Sequence, residues 1–317
     1  MEDNNTQMEG LKKIYESLQQ QISRNPNSFF LYSQLGSICV EMGNRKDALI
    51  HFKKALTLNP QNKEVKEKMR TFFSYEETKD ILKAFEPPPF WKDIGWTLAY
   101  PLDKEGKVMI IAGAVIFGIL TFVGSISIFG WIGFIFAYGF VSAYLIKIIK
   151  SAGQGDRKMP DWPEFTSFID SMILPCFRFF MAFFISFLPM IVFLILGFRF
   201  SVSFSLLLIP LILGGIFGLI YYPMALTAVA LFDNSLAPLN FNILISSIMT
   251  IKKDYFIALA FIAILDLIGF IASLIFVLPL PVIGDIIFWL ISLYIAIVQV
   301  NILGNMYYVN EDKIDWF

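Results

Sequence analysis

The sequence predicts an all-α protein in which an N-terminal helical-repeat domain precedes a polytopic α-helical membrane domain of about six spans with interfacial amphipathic helices. Of its 317 residues, 56% are hydrophobic and 16% are charged, and the mean hydropathy is +0.65. Soluble globular proteins usually have about 25% charged residues. The deficit is uneven, because roughly the first ninety residues are polar and the rest are nearly free of charge.

Composition divides the chain into three parts: 1–86, a cytoplasmic helical domain; 87–92, a proline linker; and 93–317, the integral membrane domain. The first residues, 1–13, are polar and lack the apolar segment of a secretory signal, so we expect the first domain to stay in the cytoplasm. Consecutive prolines at 87–89 end the last soluble helix and form a stiff extended spacer.

Residue types at fixed spacing between 29 and 62 predict a helix-turn-helix unit. Small Gly36 and Ala48 let two helices approach closely, while Leu35 and Phe52 fill the space between them. The positions that fit the pattern are Tyr32, Leu35, Gly36, Cys39, Ala48, Phe52, Ala55 and Pro60. This pattern resembles a single tetratricopeptide repeat, and the resemblance implies a domain that binds a protein partner.

Further helices are expected at 11–23, as part of a degenerate upstream repeat, at 63–73, as a capping helix, and at 76–85. The domain is then close to the smallest size at which such repeats bury a continuous core. Ser33 and Ser37 occupy the places where the best-known peptide-binding version of this fold grips a C-terminal carboxylate with Lys and Asn. We therefore predict no such clamp.

The apolar part of the chain predicts six membrane spans. Residues 108–146 hold no charged side chain, and these roughly 39 residues would measure roughly 58 Å as one helix. The hydrocarbon core is about 30 Å thick, so this stretch must fold back on itself, with a turn at 124–130. The expected spans are approximately 108–125, 128–146, 179–197, 202–232, 255–277 and 286–309.

Basic residues near the ends of the spans predict the orientation. With six spans, one side receives most of them: Lys104, Lys107, Lys147, Lys150, Arg157, Lys158, Lys252 and Lys253. The opposite side offers Arg199. We therefore expect a multi-pass protein of the prokaryotic cytoplasmic (inner) membrane, with both termini in the cytoplasm.

Two segments that precede span hairpins have the periodicity of interfacial amphipathic helices. Their apolar residues are Phe165, Phe168, Ile169, Met172 and Ile173 in one and Phe241, Leu244, Ile245, Ile248 and Met249 in the other. A weaker copy before the first hairpin comprises Ile94, Leu98 and Leu102. The pattern predicts three units, each an interfacial helix plus a two-span hairpin. The alternative is that loops before spans are amphipathic in general.

Two short motifs flank the first pair of spans. They are Asp93-Ile94-Gly95 with Leu98 and Tyr100-Pro101, and then Gly153, Gly155 and Pro160-Asp161-Trp162-Pro163-Glu164-Phe165. Over about residues 93–196 the chain thereby resembles a family of bacterial and archaeal membrane proteins known only as a domain of unknown function. The resemblance implies a multi-span fold and supplies no activity. From the residues themselves, we expect the glycines to permit a sharp exit from the bilayer and Trp162 to anchor at the headgroups; a binding site at this cytoplasmic loop is the alternative.

Polar residues inside the expected spans are the clearest pointers to a functional site. Asp266 lies about 11 residues, or roughly 17 Å, into the fifth span, close to the middle of the bilayer. Gln299 and Asn301 in the antiparallel sixth span reach a similar depth, so we expect both to be hydrogen-bond partners of Asp266. The cluster is either a proton or cation site or an interhelical polar clamp with a protonated Asp266.

The side-chain inventory does not favour an enzyme. His51 is the only histidine, and the chain has no glycine-rich phosphate loop and no metal-ligand spacing. We predict no catalytic residue, no cofactor, no metal site and no nucleic-acid partner. The expected partners are the lipid bilayer and a protein bound by the repeat domain, and a homo-oligomer stays open.

Two functions fit this inventory. The main hypothesis is an integral membrane scaffold or assembly protein whose repeat domain recruits a protein partner. The alternative is a transporter or channel for a small solute, an ion or protons, with a regulatory repeat domain.

Overall fold

The computed structural model describes residues 2–60, 62–126, 131–163, 169–276, 281–314 and 316. Within these residues the regular elements are fourteen α-helices joined by short 3-10 and π turns, without a strand. The all-α fold class is therefore confirmed. The chain divides into two compact units, Met1–Pro88 and Pro89–Phe317.

The first unit consists of five helices: α1 (Glu2–Arg24), α2 (Phe29–Glu41), α3 (Arg45–Leu58), α4 (Lys63–Phe72) and α5 (Tyr75–Ala84). Four of them begin at a polar side chain that accepts a hydrogen bond from a backbone N–H of the first turn. These caps are Ser28, Asn44, Asn62 and Ser74. At α5, Glu77 bonds back to the backbone of Ser74 and completes a capping box. Local sequence therefore determines where these helices start.

Helices α2 and α3 pack through the residues of the repeat pattern. Its buried members are Leu35, Gly36, Cys39, Ala48, Phe52 and Ala55. A Cβ atom on Gly36 would lie 2.8 Å from the Phe52 ring, so the close approach requires glycine. Tyr32 is half-buried and stacks on His51 with 6.4 Å between the ring centroids. Pro60 was also expected among the packing residues, but it is exposed in the turn after α3, where a proline prevents the helix from continuing.

The second unit contains nine α-helices within its described residues. They are α6 (Ile94–Ala99), α7 (Lys104–Ile126), α8 (Trp131–Gly153), α9 (Leu174–Ser186), α10 (Leu188–Arg199), α11 (Phe204–Phe232), α12 (Phe241–Thr250), α13 (Lys252–Phe276) and α14 (Pro281–Ile314). Six stretches are long and apolar enough to cross a membrane: Lys104–Ser125, Ile132–Gly153, Ile169–Ser186, Ser205–Phe232, Lys252–Ile275 and Ile283–Ile314. This is the architecture of a multi-pass membrane protein. Most of the expected turn at 124–130 lies outside the described residues.

The third span differs from the expected 179–197. A π-helical turn, Ile169–Ile173, leads into α9, and the helix breaks at Phe187 before α10 begins. Pro189 has no backbone N–H and cannot bond to the carbonyl four residues before it, which interrupts the regular helix. Hydropathy does not reveal this break, because the segments on both sides of it are apolar.

Helices α7, α8 and α14 form the interior of the second unit. In the most apolar stretch of each span, the buried share is 61% in α8 and 44% in α14, but 17% in α13. Phe117 of α7 lies against Trp289 of α14 with 5.3 Å between the ring centroids. The indole N–H of Trp289 donates to the Thr121 hydroxyl at 3.0 Å. By contrast, α13 packs mainly on α14 and leaves most of its surface exposed.

Helix α12 forms at one of the predicted amphipathic segments. The residues on its buried face differ in part from the predicted apolar set. Leu244, Ser247 and Ile248 are buried, whereas Ile245 and Met249 are exposed. The buried Ser247 hydroxyl is satisfied, because it accepts a hydrogen bond from the Trp316 indole at 2.8 Å and donates to the Ile243 carbonyl. Of the other predicted segment, 164–168 lies outside the described residues, so the three-unit arrangement stays a prediction.

Tyr255 of α13 supports α11 at a proline. Pro223 lies inside α11 and lacks the N–H that a helix interior needs. The hydroxyl of Tyr255 accepts a hydrogen bond from the Met224 N–H at 3.2 Å and donates to the Ile220 carbonyl. Met224 and Ile220 are partners four residues apart in a regular helix. The Tyr255 hydroxyl therefore bonds to the N–H and to the carbonyl that face each other across one turn of α11, next to Pro223.

Substitution Tyr255→Phe is expected to lower the free energy of unfolding by about 1–3 kcal/mol, because two buried backbone groups lose a partner. Unfolding of the full chain in mixed micelles by titration with sodium dodecyl sulfate measures this change. Tyr138→Phe is the matched control, since that side chain is 45% exposed, and we expect a change within about 0.5 kcal/mol. Equal losses for the two variants would contradict the proposed role of the Tyr255 hydroxyl.

Candidate functional site

The two motifs that flank the first pair of spans meet in space. Arg157 forms an ion pair with Asp93, with 3.1 Å between Nη2 and Oδ2. Its guanidinium also lies over the Trp96 ring, 5.3 Å from the ring centroid. The Tyr100 hydroxyl donates to the Lys158 carbonyl at 3.4 Å. We call these two stretches, 93–102 and 153–163, the motif module.

A glycine cap ends α8 at the start of the second motif. Gly155 has a φ of +85°, and its N–H and that of Asp156 bond back to the last turn of α8 at 3.0 and 3.1 Å. A Cβ atom on Gly155 would lie 2.5 Å from the Tyr308 ring, so conformation and space both require glycine. Gly153 is still helical, and a Cβ there would lie 3.0 Å from Leu231. The chain therefore leaves the helix at Gly155, and Gly153 serves close packing.

Trp162 is partly buried and packs against rings of α7 and α8, while its anchoring at the headgroups stays a prediction. Its ring stacks on Tyr144 at 5.2 Å with an interplanar angle of 3°, and on Phe140 at 4.9 Å. Phe117 lies 5.7 Å away on the neighbouring helix. A Cβ atom on Gly113 would lie 2.8 Å from the indole, so α7 leaves room for it. Contact with three rings buries large apolar surfaces, which favours this position over the outside of the loop.

The carbonyls of the loop before Trp162 find donors on α8. The Tyr144 hydroxyl donates to the Pro160 carbonyl at 3.0 Å. The Lys147 ammonium donates to the Asp161 carbonyl at 2.8 Å. Backbone that leaves a helix loses its intrahelical partners, and these side chains replace them. These contacts make the motif module a packed structural element of the second unit.

Asn301 belongs to this region and not to the environment of Asp266. Its side chain is fully buried, and its Oδ1 accepts a hydrogen bond from Asn305 Nδ2 at 2.8 Å. Burial raises the pKa of Tyr100, and the nearby Asn301 side chain opposes that shift. The prediction that Asn301 pairs with Asp266 is wrong, because residues 299 and 301 point to nearly opposite sides of one helix.

Asp266 and Gln299 form a polar pair between α13 and α14. Gln299 Nε2 donates to Asp266 Oδ1 at 2.6 Å and lies 3.5 Å from the Ile262 carbonyl oxygen. The pair lines a groove of about 380 Å³ on the surface of these two helices. Asp266 is exposed in this groove. In a bilayer, a carboxylate at such a surface faces another helix or water.

A charged cluster of the second unit escaped the sequence analysis. Arg178, inside the third span, forms an ion pair with Asp233 at 3.1 Å, and Lys150 contacts the other oxygen of the same carboxylate. Asp233 ends α11 in the left-handed conformation, with a φ of 50°. The cluster thus ties together α8, α9 and α11. An arginine in an apolar span indicates that an acidic partner lies nearby. The sequence does not identify that partner, because Arg178 and Asp233 are 55 residues apart.

The first unit has a groove of about 460 Å³ beside α4 and α5. Its lining combines apolar with basic side chains, namely Phe73, Tyr75, Leu82, Arg70, Lys79 and Lys83. Tyr75 is 70% exposed, and the Lys79 ammonium lies 5.6 Å from the centroid of its ring. The groove therefore presents an accessible aromatic surface within a positive field.

Comparisons with protein-family models, with curated proteins and with solved structures find no match to this chain. The resemblances to a tetratricopeptide repeat and to the domain of unknown function therefore stay predictions. Among the described residues, no group of three or more His, Cys, Asp or Glu side chains is placed to hold a metal ion.

Substitution Trp162→Ala is expected to lower the free energy of unfolding by on the order of 3 kcal/mol, because it leaves a cavity beside three aromatic rings. Arg157→Gln is the control within the same module. Its ion pair joins side chains that are 71% and 46% exposed, so we expect a loss below about 1 kcal/mol. Detergent-titration unfolding of the full chain compares them. A Trp162→Ala loss no larger than that of Arg157→Gln would show that the ring does not support the module.

Proposed function

We propose that this chain is an integral membrane scaffold or assembly protein whose first unit binds a protein partner. The groove beside α4 and α5 is the observation that carries this proposal, since exposed basic side chains border apolar surface there. Tyrosine and arginine, here Tyr75 and Arg70, are among the residues that most often carry the binding energy of protein interfaces. The attached six-span unit would then keep the bound partner at a membrane.

The charges of the groove favour an acidic partner segment with an apolar or aromatic anchor. Three of its lining residues are basic, Arg70, Lys79 and Lys83, and one is acidic, Glu86, so the lining has a net charge of +2. Tyr75 offers a ring on which an apolar side chain can pack. Complementary charge at such a rim accelerates association and selects among partners.

We also propose that the end of the second unit at which α7 begins faces the cytoplasm of a prokaryotic cell. Basic residues gather at this end, including Lys150, Arg157 and Lys253. Lys253 lies over the Trp91 ring, 5.5 Å from its centroid, so the start of α13 is at the same end as the chain before α7. The positive-inside rule supports this orientation, which places both termini in the cytoplasm.

Transport of a small solute, an ion or protons is the second candidate, and the Asp266 carboxylate inside a span favours it. Two observations weigh toward the scaffold. Asp266 lies on an exposed surface of α13 and α14, and aromatic rings such as Phe117, Trp162 and Trp289 fill the space among α7, α8 and α14. Substitution Asp266→Asn separates the candidates, since a transporter loses flux while a scaffold still binds its partner.

Reversal of the groove charges tests the scaffold directly. The triple variant Arg70→Glu, Lys79→Glu and Lys83→Glu of the full chain is expected to bind the captured partner about tenfold or more weakly, because three attractive contacts become repulsive. The measurement is cross-linking and co-purification from native membranes, followed by titration of the identified partner against the purified full chain at several salt concentrations.

The matched control reverses the same number of charges on α3, with Lys46→Glu, Lys53→Glu and Lys54→Glu, which are all exposed. This variant should retain the partner. Equal retention in both triple variants would show that the groove is not the binding surface. Loss in both would indicate an effect of net charge alone.

A further inference from the structure

Asp266 stands at a place where a carboxylate needs a partner. It lies within the span Lys252–Ile275 and is exposed on the surface of α13. Among the described residues, the hydrogen bond to this carboxylate comes from Gln299, a neutral donor that reaches Oδ1 at 2.6 Å. A charged or half-satisfied carboxylate in hydrocarbon is expensive, so such residues face a partner or water.

The surroundings of Asp266 suit a second helix. The groove that contains Asp266 and Gln299 also has small, partly buried side chains along it, Ser273, Ser292 and Ala296. Small residues allow the backbone of a neighbouring helix to come close, and hydroxyls offer further hydrogen bonds across the contact. Helix α13 has the free surface for such a contact, since 17% of its most apolar stretch is buried.

The charge of the groove defines the chemistry of the occupant. A carboxylate at this depth is complemented by a cation, and Lys or Arg is the side chain that carries one in a transmembrane helix. The α13 and α14 helices of a second copy of this chain cannot supply such a cation within the bilayer, because residues 254–312 contain no Lys, Arg or His. Pairing two copies through this face would also bring two carboxylates together.

We propose that the groove between α13 and α14 binds a transmembrane helix of another membrane protein, and that a Lys or Arg near the middle of that helix pairs with Asp266. The contact is separate from the groove of the first unit. It gives the second unit a partner within the bilayer, with Gln299 holding the carboxylate in position.

A synthetic transmembrane peptide can test this contact before the natural partner is identified. The probe is a Leu/Ala helix of about 23 residues, which spans a bilayer, with one central Lys and a fluorescent label. Its matched control has a central Leu. Energy transfer from the labelled full chain in phosphatidylcholine vesicles measures binding, and we expect the central-Lys peptide to bind about tenfold more tightly than the control.

Variants of Asp266 assign the preference to this carboxylate. Asp266→Leu should erase the difference between the two peptides, and Asp266→Lys should transfer the preference to a peptide with a central Asp. Leucine suits an exposed position among lipid chains, so the fold of Asp266→Leu should be unchanged by circular dichroism and gel filtration. Equal binding of both peptides to the unaltered chain would overturn the proposal.

Two further outcomes would also overturn it. The double variant Asp266→Leu with Leu267→Asp keeps a carboxylate at nearly the same depth but turns it about 100° around α13, out of the groove. If this variant still prefers the central-Lys peptide as strongly, charge alone explains binding. If labelled full chains associate with one another and Asp266→Leu abolishes the association, a second copy occupies the groove. Neither result bears on the groove beside α4 and α5, whose test uses other residues.

Discussion

Four tyrosine hydroxyls of the second unit donate to backbone carbonyls in loops, in a 3-10 turn and beside a proline of α11, and these bonds join parts of the chain that are distant in sequence. In hydrocarbon, each backbone carbonyl left without a donor costs on the order of several kcal/mol. The donor and acceptor pairs are Tyr100 with Lys158, Tyr144 with Pro160, Tyr221 with Pro238 and Tyr255 with Ile220. Prolines and loops are tolerated at these places because a phenol has an apolar ring for the core and a polar tip for the backbone.

Tyr144 shows how this constraint also orders the apolar interior. Its hydroxyl fixes the Pro160 carbonyl, and its ring is nearly parallel to the ring of Trp162 two residues later. The same side chain thus sets the path of the loop and the position of the tryptophan between α7 and α8. Phe117 then connects Trp162 to Trp289 of α14. One hydrogen bond at the loop is therefore coupled to the packing of the three most buried spans.

Sequence alone could predict those features that depend on whole segments. The all-α class and the membrane spans follow from the length and apolar content of each run, and matched depth in antiparallel spans anticipates the contact of Gln299 with Asp266. Individual placements were harder. A tryptophan after a span is compatible with headgroups and with packing, so the ring contacts of Trp162 did not follow from its position in the sequence. The partner of Arg178 is distant in sequence. The error on Asn301 was avoidable, since helical periodicity alone separates it from Gln299.

The two proposed binding surfaces differ because exposed apolar surface is unfavourable in water, whereas exposed polar groups are unfavourable in lipid. In water, apolar surface drives association, and the charges around Tyr75 mainly select the partner. In lipid, burial of apolar surface gives no gain, since the chains of the solvent are as apolar as leucine, so a polar group such as Asp266 must carry the contact. A groove rich in aromatic and basic residues in the first unit and a carboxylate among small residues in the second are each suited to their own solvent. A chain built this way can join a soluble protein to a membrane protein without either surface competing with the other.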